Sequence, residues 1–555
     1  MPDEGLVRGA VVLCPPFGLE AQAVVRAYQA LGDELARRGF GAIQIDYDGT
    51  GDSAGSSQDP QRMAAWQGSL LRAIQLVRAG GARHVSVVAM RLGATVAASV
   101  AGRCALDALV LWDPCFSGRS FLREQVLLRS VYMEQERIVR GPTMGPDEAQ
   151  GQVETLGAVY GAETARAVSE LTIEAAGGVL ARDVLALFRS ERPPPRAALE
   201  RLSRERLEVA EAAGQEELLS VWPLRSVLPQ QAIGTVVAWL DRMSGAEVAP
   251  LAIRCSQTAS VAEPSGSEIA EEIVSLGPAR LFGIVTKPRL PRTAVTAILL
   301  NAGRLDHVGP GRLWVDLARS WARAGMTAVR VDLSGLGDSP TRECREAGVV
   351  YSPDAVRDIC DIARSLPRKD GSGVVLAGLC SGAYHAVIAA SVVPSSAVLA
   401  INPIFPGTEQ PVALRKAGPR TSGAITKRAQ HALEAAKHLG SLVPGYPTLK
   451  PVGRWAMDAR WWAAGRTGRR ARPALALEQA LAGGASALLA CRPYEARLIA
   501  RGERAAFRRM LSSGQLDLRV FADIDHSLYL QGGRDEVVPV LTEYIMTFIS
   551  ADTAG

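Results

Sequence analysis

Val374-Val375-Leu376-Ala377-Gly378-Leu379-Cys380-Ser381-Gly382-Ala383-Tyr384-His385 is the stretch whose reading decides the fold. Val374 to Ala377 is a short apolar run of the kind that makes a buried strand, and from Ala383 to Ala390 the spacing turns helical. Gly-x-Cys-x-Gly lies between them. A strand that reverses sharply into a helix forces its turn residue into a strained backbone conformation, and flanking glycines let the chain pass without a Cβ clash. A side chain on such a turn stands beside a helix N-terminus, where free N–H groups favour negative charge. A thiol there is biased toward thiolate and gains nucleophilicity. The plain alternative is a small buried cysteine packed at a helix start, in a chain with 54 glycines.

The surrounding order of elements is written twice. In the first half, strands are predicted at 9–14, 42–47, 84–90 and 108–112, with helices at 22–38 and 61–78. In the second, strands are predicted at 294–301, 327–332, 374–377 and 397–401, with helices at 311–324 and 353–366. Asp46-Tyr47-Asp48-Gly49-Thr50-Gly51-Asp52-Ser53 and Asp332-Leu333-Ser334-Gly335-Leu336-Gly337-Asp338-Ser339 agree at five of eight positions. Both read as tight turns at strand ends rather than as catalytic groups. A matched order around a matched motif points to duplication, and alternating strands and helices imply a parallel sheet covered on both faces in each copy. A helical insert follows each copy, about 117–190 and 404–480, and the second is basic and tryptophan-containing at 450–472. Strands at 487–491 and 516–522 and helices near 496–511 and 535–549 close the second copy. The first ends with a strand at 207–210 and a helix near 229–243, and 245–270 reads as the linker.

Composition bounds the function classes. A chain of 555 residues exceeds one core, and 48% apolar with 21% charged residues is ordinary for globular proteins. A net charge of +5 over this length favours neither nucleic acid nor an acidic membrane surface. The six histidines and eight cysteines show no metal-ligand spacing or disulfide framework. No metal or cofactor is therefore expected. The N-terminus lacks the pattern of a signal peptide, and no apolar run approaches the roughly 20 residues of a membrane span. A cytosolic protein with reduced thiols is expected.

These pieces together resemble the α/β-hydrolase superfamily, most of all its serine-aminopeptidase-like and bacterial thioesterase-like members, here as a tandem fusion. The stretches that carry the resemblance are VRVDLSGLGDS (329–339), VVLAGLCSGAYHA (374–386) and VFADIDHSL (520–528). It covers about 270–550 well, 9–116 clearly and 117–243 loosely. It implies a degenerate domain at 1–245, a linker at 246–270, and a second domain at 271–555 with a helical cap at about 404–480. The first copy lacks the two opening strands such folds usually have.

The resemblance also assigns roles. Cys380 stands on the nucleophile elbow where serine is usual. His526, past the last strand, would take and return its proton, and Glu495 would orient His526, with Asp523 as the fallback. Backbone N–H groups of Ser381 and of Gly303 or Arg304 would form the oxyanion hole. His307 reads as a solvated loop residue or a substrate contact. In the first copy Arg91 takes the nucleophile position and Gln215 the histidine position, so that copy has lost its machinery. Its role is structural, or Arg91 holds an anion. The expected function is acyl transfer through an acyl-cysteine, by hydrolysis or handover, on an ester or thioester, with a carrier- or CoA-bound acyl group as one candidate donor. The rival is a non-catalytic scaffold or ligand-binding protein.

Overall fold

The structure, a computed structural model, describes residues 5–138, 151–219, 226–262, 268–343, 345–367, 372–404, 473–499 and 504–552. The expected cap, with its basic and tryptophan-containing stretch, lies almost wholly outside them. Two large sheets carry the fold. The first has six strands, ordered Phe40–Gln44, Gly9–Cys14, Val85–Met90, Leu106–Trp112, Ala181–Phe188 and Leu207–Glu211, all parallel. The second has nine. Its last six run in the same crossing order: Thr327–Val331, Val295–Leu300, Gly373–Leu379, Ala397–Ile401, Ser486–Cys491 and Leu516–Val520, again all parallel.

The central strands are continuous apolar runs because helices cover both faces. All six residues of Gly9–Cys14 and all five of Ala397–Ile401 are buried. Helix Leu19–Arg37 turns Ala23, Val24, Ala27, Tyr28, Leu31 and Leu35 inward, and helix Leu313–Ala324 buries Leu313, Trp314, Leu317 and Trp321 at the same helical spacing. Among the described residues no helix is long and apolar enough to cross a membrane.

Backbone conformation repeats between the halves at the positions that define the turns. Gly49 and Gly335 have φ of 76° and 75°, Arg91 and Cys380 of 55° and 58°, Asp113 and Asn402 of 44° and 42°. Each aspartate motif folds on itself. Asp46 Oδ2 accepts the Asp52 N–H at 2.8 Å, and Asp332 Oδ2 accepts the Asp338 N–H at 2.9 Å. A Cβ on Gly51 or Gly337 would fall 2.1 Å from that same carboxylate oxygen, so the turn requires glycine.

Two sequence expectations fail here. The stretch at 245–270 is not a plain linker, because Thr258–Ala262 and Glu268–Leu276 pair antiparallel and join Leu281–Lys287 on the edge of the second sheet. Thr258–Ala262 is short and half polar, and Glu268, Glu271 and Glu272 interrupt the apolar pattern of its partner. The insert at 117–190 is not all helical either. Ala181–Phe188 is a sheet strand, disguised by exposed Arg182 and buried Asp183 near its start, and Val153–Thr155 pairs with Ala158–Tyr160 in a small hairpin.

The halves meet through a buried ionic network. Arg330 pairs with Asp52 and with Glu271 (3.2 Å), and Arg319 binds Glu271 at 2.6 Å and the Asp52 carbonyl at 2.6 Å. His307 sits between Asp332 (2.7 Å) and Asp52 (2.8 Å). Burial opposes its charge, but the two carboxylates win and hold it protonated well above the usual histidine range. His307 is therefore a buried cross-link between the halves and not a solvated loop residue. His307, Asp332 and Asp338 bring donor atoms within 4.8 Å of one another, yet each is already engaged, Asp338 Oδ1 by Gln29 Nε2 at 3.1 Å.

Candidate active site

Cys380 caps helix Ser381–Ala390 at the end of strand Gly373–Leu379, with φ 58° and ψ −115°. That conformation costs a non-glycine residue about 1–3 kcal/mol, and the surroundings impose it. The Cys380 N–H donates to the Ile401 carbonyl at 3.0 Å, and its own carbonyl accepts the Tyr384 N–H at 3.2 Å. Gly382 packs so tightly on the neighbouring strand that a Cβ would lie 2.5 Å from the Asn301 carbonyl oxygen. Serine or alanine there would push the elbow off the sheet.

His526 approaches from the segment after strand Leu516–Val520. Its Nδ1 lies 3.2 Å from Glu495 Oε1, and Glu495 is wholly buried at the start of helix Pro493–Ile499. Arg492 Nε spans both Glu495 oxygens at 3.1 Å. Burial alone would raise the Glu495 pKa, but the bonds from His526 and Arg492 bring it down to about 2. For His526, burial opposes the charged ring, and the charge and hydrogen-bonding capacity of Cys380, then Glu495, push it up to about 10. His526 Nε2 is buried and closes no hydrogen bond among the described residues. Cys380 acts on the ring without the alignment of a closed bond, which is usual before substrate draws such a pair together. Asp523, the fallback acid, is not the residue that meets the imidazole.

The oxyanion loop needs one correction. The Gly303 N–H donates to Ser381 Oγ at 2.9 Å, so that amide is already used and Ser381's hydroxyl braces the loop. Among the described residues the backbone N–H groups of Ser381, first in its helix, and of Arg304 have no backbone partner.

Sequence reasoning missed the residues that hold this constellation. Asn402 donates to the His526 carbonyl at 2.9 Å and accepts the Arg492 N–H at 3.1 Å, tying histidine and acid segments together. Asp525, fully buried, accepts the N–H groups of Tyr529 (2.7 Å) and Leu530 (3.1 Å) and so shapes the turn after His526. Its place beside the histidine in Asp525-His526 was the one available signal. The first half contributes too. On helix Gly118–Glu136, Tyr132 donates its hydroxyl to Asp525 Oδ2 at 2.9 Å, and Glu136 accepts the His526 N–H at 3.1 Å while pairing with Arg492. No local pattern marks a helix end in one half as a support for a loop in the other.

Arg91 occupies the corresponding elbow of the first half, and it is not open to an anion. Glu20 (3.1 Å), Asp113 (3.4 Å) and Glu124 (2.9 Å) enclose its guanidinium, which is 2% exposed. Arg189 and Arg192 neutralise the remaining carboxylate charge. Gln215, at the histidine position, is likewise buried. A cavity of about 510 Å³ lies between the halves along Phe17, Asp46, His307, Arg312 and Arg534, and Cys380, His526 and Glu495 are not among its walls.

A strand–elbow–helix with a histidine after the last strand and an acid after the strand before it agrees with the sequence comparison. Residues 297–540 match the family described as the alpha/beta hydrolase family. In this region the chain is similar to that family. Among solved structures, dienelactone hydrolase from Anabaena variabilis is 15% identical, with 53% of this chain and 99% of that one covered at a TM-score of 0.29. An α/β serine hydrolase without a lid from Xanthomonas campestris is 14% identical, with coverages of 53% and 96% and a TM-score of 0.28. No curated protein matches the chain.

Proposed function

We propose that the chain is an acyl-transfer enzyme in which Cys380 is the nucleophile, His526 the general base and acid, and Glu495 the residue that orients the imidazole. The observation that carries this reading is the His526 ring, held by Glu495 on one nitrogen and turned, with the other unbonded, toward a cysteine on a strained elbow. The Cys380 sulfur attacks the carbonyl carbon of an ester or thioester, and its proton passes to His526 Nε2. The tetrahedral oxyanion accepts from the Ser381 and Arg304 amides. The bond to the leaving group breaks, His526 returns the proton to it, and an acyl-Cys380 thioester remains. Water, an alcohol, an amine or a thiol then attacks the acyl carbon, its proton going to His526; the acyl–sulfur bond breaks, His526 returns the proton to Cys380, and the acylated acceptor leaves. An acyl-cysteine is matched in energy to a thioester donor, so a carrier- or CoA-bound acyl group suits this site.

We read the first half as a degenerate copy of the same fold, retained for its contacts rather than for chemistry. Glu136 and Tyr132 support that reading, since both brace the histidine segment. The test is intact-protein mass spectrometry after incubation with a panel of acyl thioesters. An added acyl mass in the parent, absent in Cys380→Ala, is expected, and its decay with different acceptors separates hydrolysis from transfer. No adduct with any donor would favour the non-catalytic scaffold.

A further inference from the structure

Two guanidinium groups meet at Gly348 with no carboxylate between them. Arg304 Nε donates to the Gly348 carbonyl at 2.8 Å. Arg26, from helix Leu19–Arg37 of the first half, packs against the same residue. A Cβ on Gly348 would fall 3.2 Å from Arg26 Cζ and 3.4 Å from its Nε and Nη1. Neither arginine has a carboxylate within 4 Å among the described residues, whereas Arg319, Arg330 and Arg492 near the same interface are all ion-paired. Burial, then the Arg304 charge, pulls Arg26 below the usual arginine range, and exposed Glu346 offsets this only in part. A pair of half-buried forks facing one spot is what recognises a carboxylate or phosphate by paired, charge-assisted bonds.

The pair is also close to the chemistry. Arg304 follows Gly303, whose amide is bonded to the residue after Cys380. Gly348 precedes Tyr351 by three residues, a span of at most about 11 Å. Tyr351 donates its hydroxyl to the Ile404 carbonyl at 3.1 Å and lies near enough for the Cys380 charge to act on it. We propose that Arg26 and Arg304 form an anion subsite beside Cys380 that takes a carboxylate or phosphate group carried by the acyl substrate or by its leaving group. What the anion is attached to rests on the acyl-transfer reading, while the subsite itself does not. It also gives the first half a direct hand in substrate choice.

The test is calorimetric titration of the full-length protein with 4′-phosphopantetheine, neutral pantetheine and glutarate, repeated on Arg26→Gln and Arg304→Gln with melting curves as the check on folding. Binding of 4′-phosphopantetheine over pantetheine would assign the anion to the leaving group, and binding of glutarate would assign it to the acyl group. In either case the affinity falls about tenfold or more in whichever variant folds. Binding of neither anion by the parent, or equal affinity in parent and folded variant, would overturn the subsite. Arginine-dependent binding with no acyl group ever reaching Cys380 would leave the subsite standing and remove the acyl-transfer reading instead.

Discussion

Arg91 and Cys380 stand on the same turn of the same strand order, and the two halves put that turn to opposite uses. Both residues are held at positive φ at a helix start, and in both the following residues thread a glycine against the neighbouring strand, Gly93 and Gly382. Around Cys380 the charges are arranged as a relay: Arg492 steadies Glu495, which steadies His526, which faces the Cys380 sulfur. Around Arg91 they cancel, with three carboxylates closing on one guanidinium. The elbow is thus a device for presenting a side chain under strain, and its chemistry is set by the neighbours. Filling it with a permanent cation and its counter-ions turns a reactive site into a cross-link.

That contrast can be broken at several points. The largest effect is expected at the thiol: Cys380→Ala lowers kcat/KM toward an acyl thioester by about 10⁴-fold or more, read in steady-state assays, because nothing else at the turn can form the covalent intermediate. Thermal stability is expected to stay close to the parent's, since little is lost in packing. The first half behaves in the reverse way. Arg91→Met leaves Glu20, Asp113 and Glu124 buried together, and a loss of about 3–5 kcal/mol is expected in urea unfolding. A variant as stable as the parent would show that the cage contributes nothing. A smaller effect sharpens the link between halves: Glu136→Gln is expected to lower kcat about tenfold with KM nearly unchanged, by loosening the His526 segment rather than by altering substrate contacts.

Much of this was legible from residues, and the failures have physical causes. The elbow, the repeat and the Cys380, His526 and Glu495 assignments rest on local signals: apolar runs, flanking glycines, and chain order within a familiar topology. The strand Ala181–Phe188 and the pair Thr258–Ala262 and Glu268–Leu276 were hidden because Arg182 and Asp183 in the one, and a short polar strand beside a glutamate-bearing one in the other, blur the alternation that marks a strand. Tyr132, Glu136 and Asp52 act across the interface over long sequence separations, which periodicity does not report. His307 looked like a loop residue because its two partners come from different halves.

The smallest effect is in acid. Glu495 is held down at about 2, below its unfolded value of about 4.3, so it contributes stability that is fully present above about pH 4.3 and lost as the pH falls through about 2. Unfolding free energy is therefore expected to drop more steeply over that window in the parent than in Glu495→Gln. Parallel slopes would mean that Glu495 is not ion-paired in solution.

The most direct test of the contrast is the rate at which individual cysteines are alkylated by iodoacetamide at about pH 6, read peptide by peptide. Cys380 should react several-fold faster than exposed Cys255 although it is buried, while Cys115, pressed against the Arg91 cage, stays unmodified. His526→Gln should bring Cys380 down to the rate of a buried thiol. A Cys380 slower than Cys255 in the parent, and indifferent to loss of His526, would contradict the account.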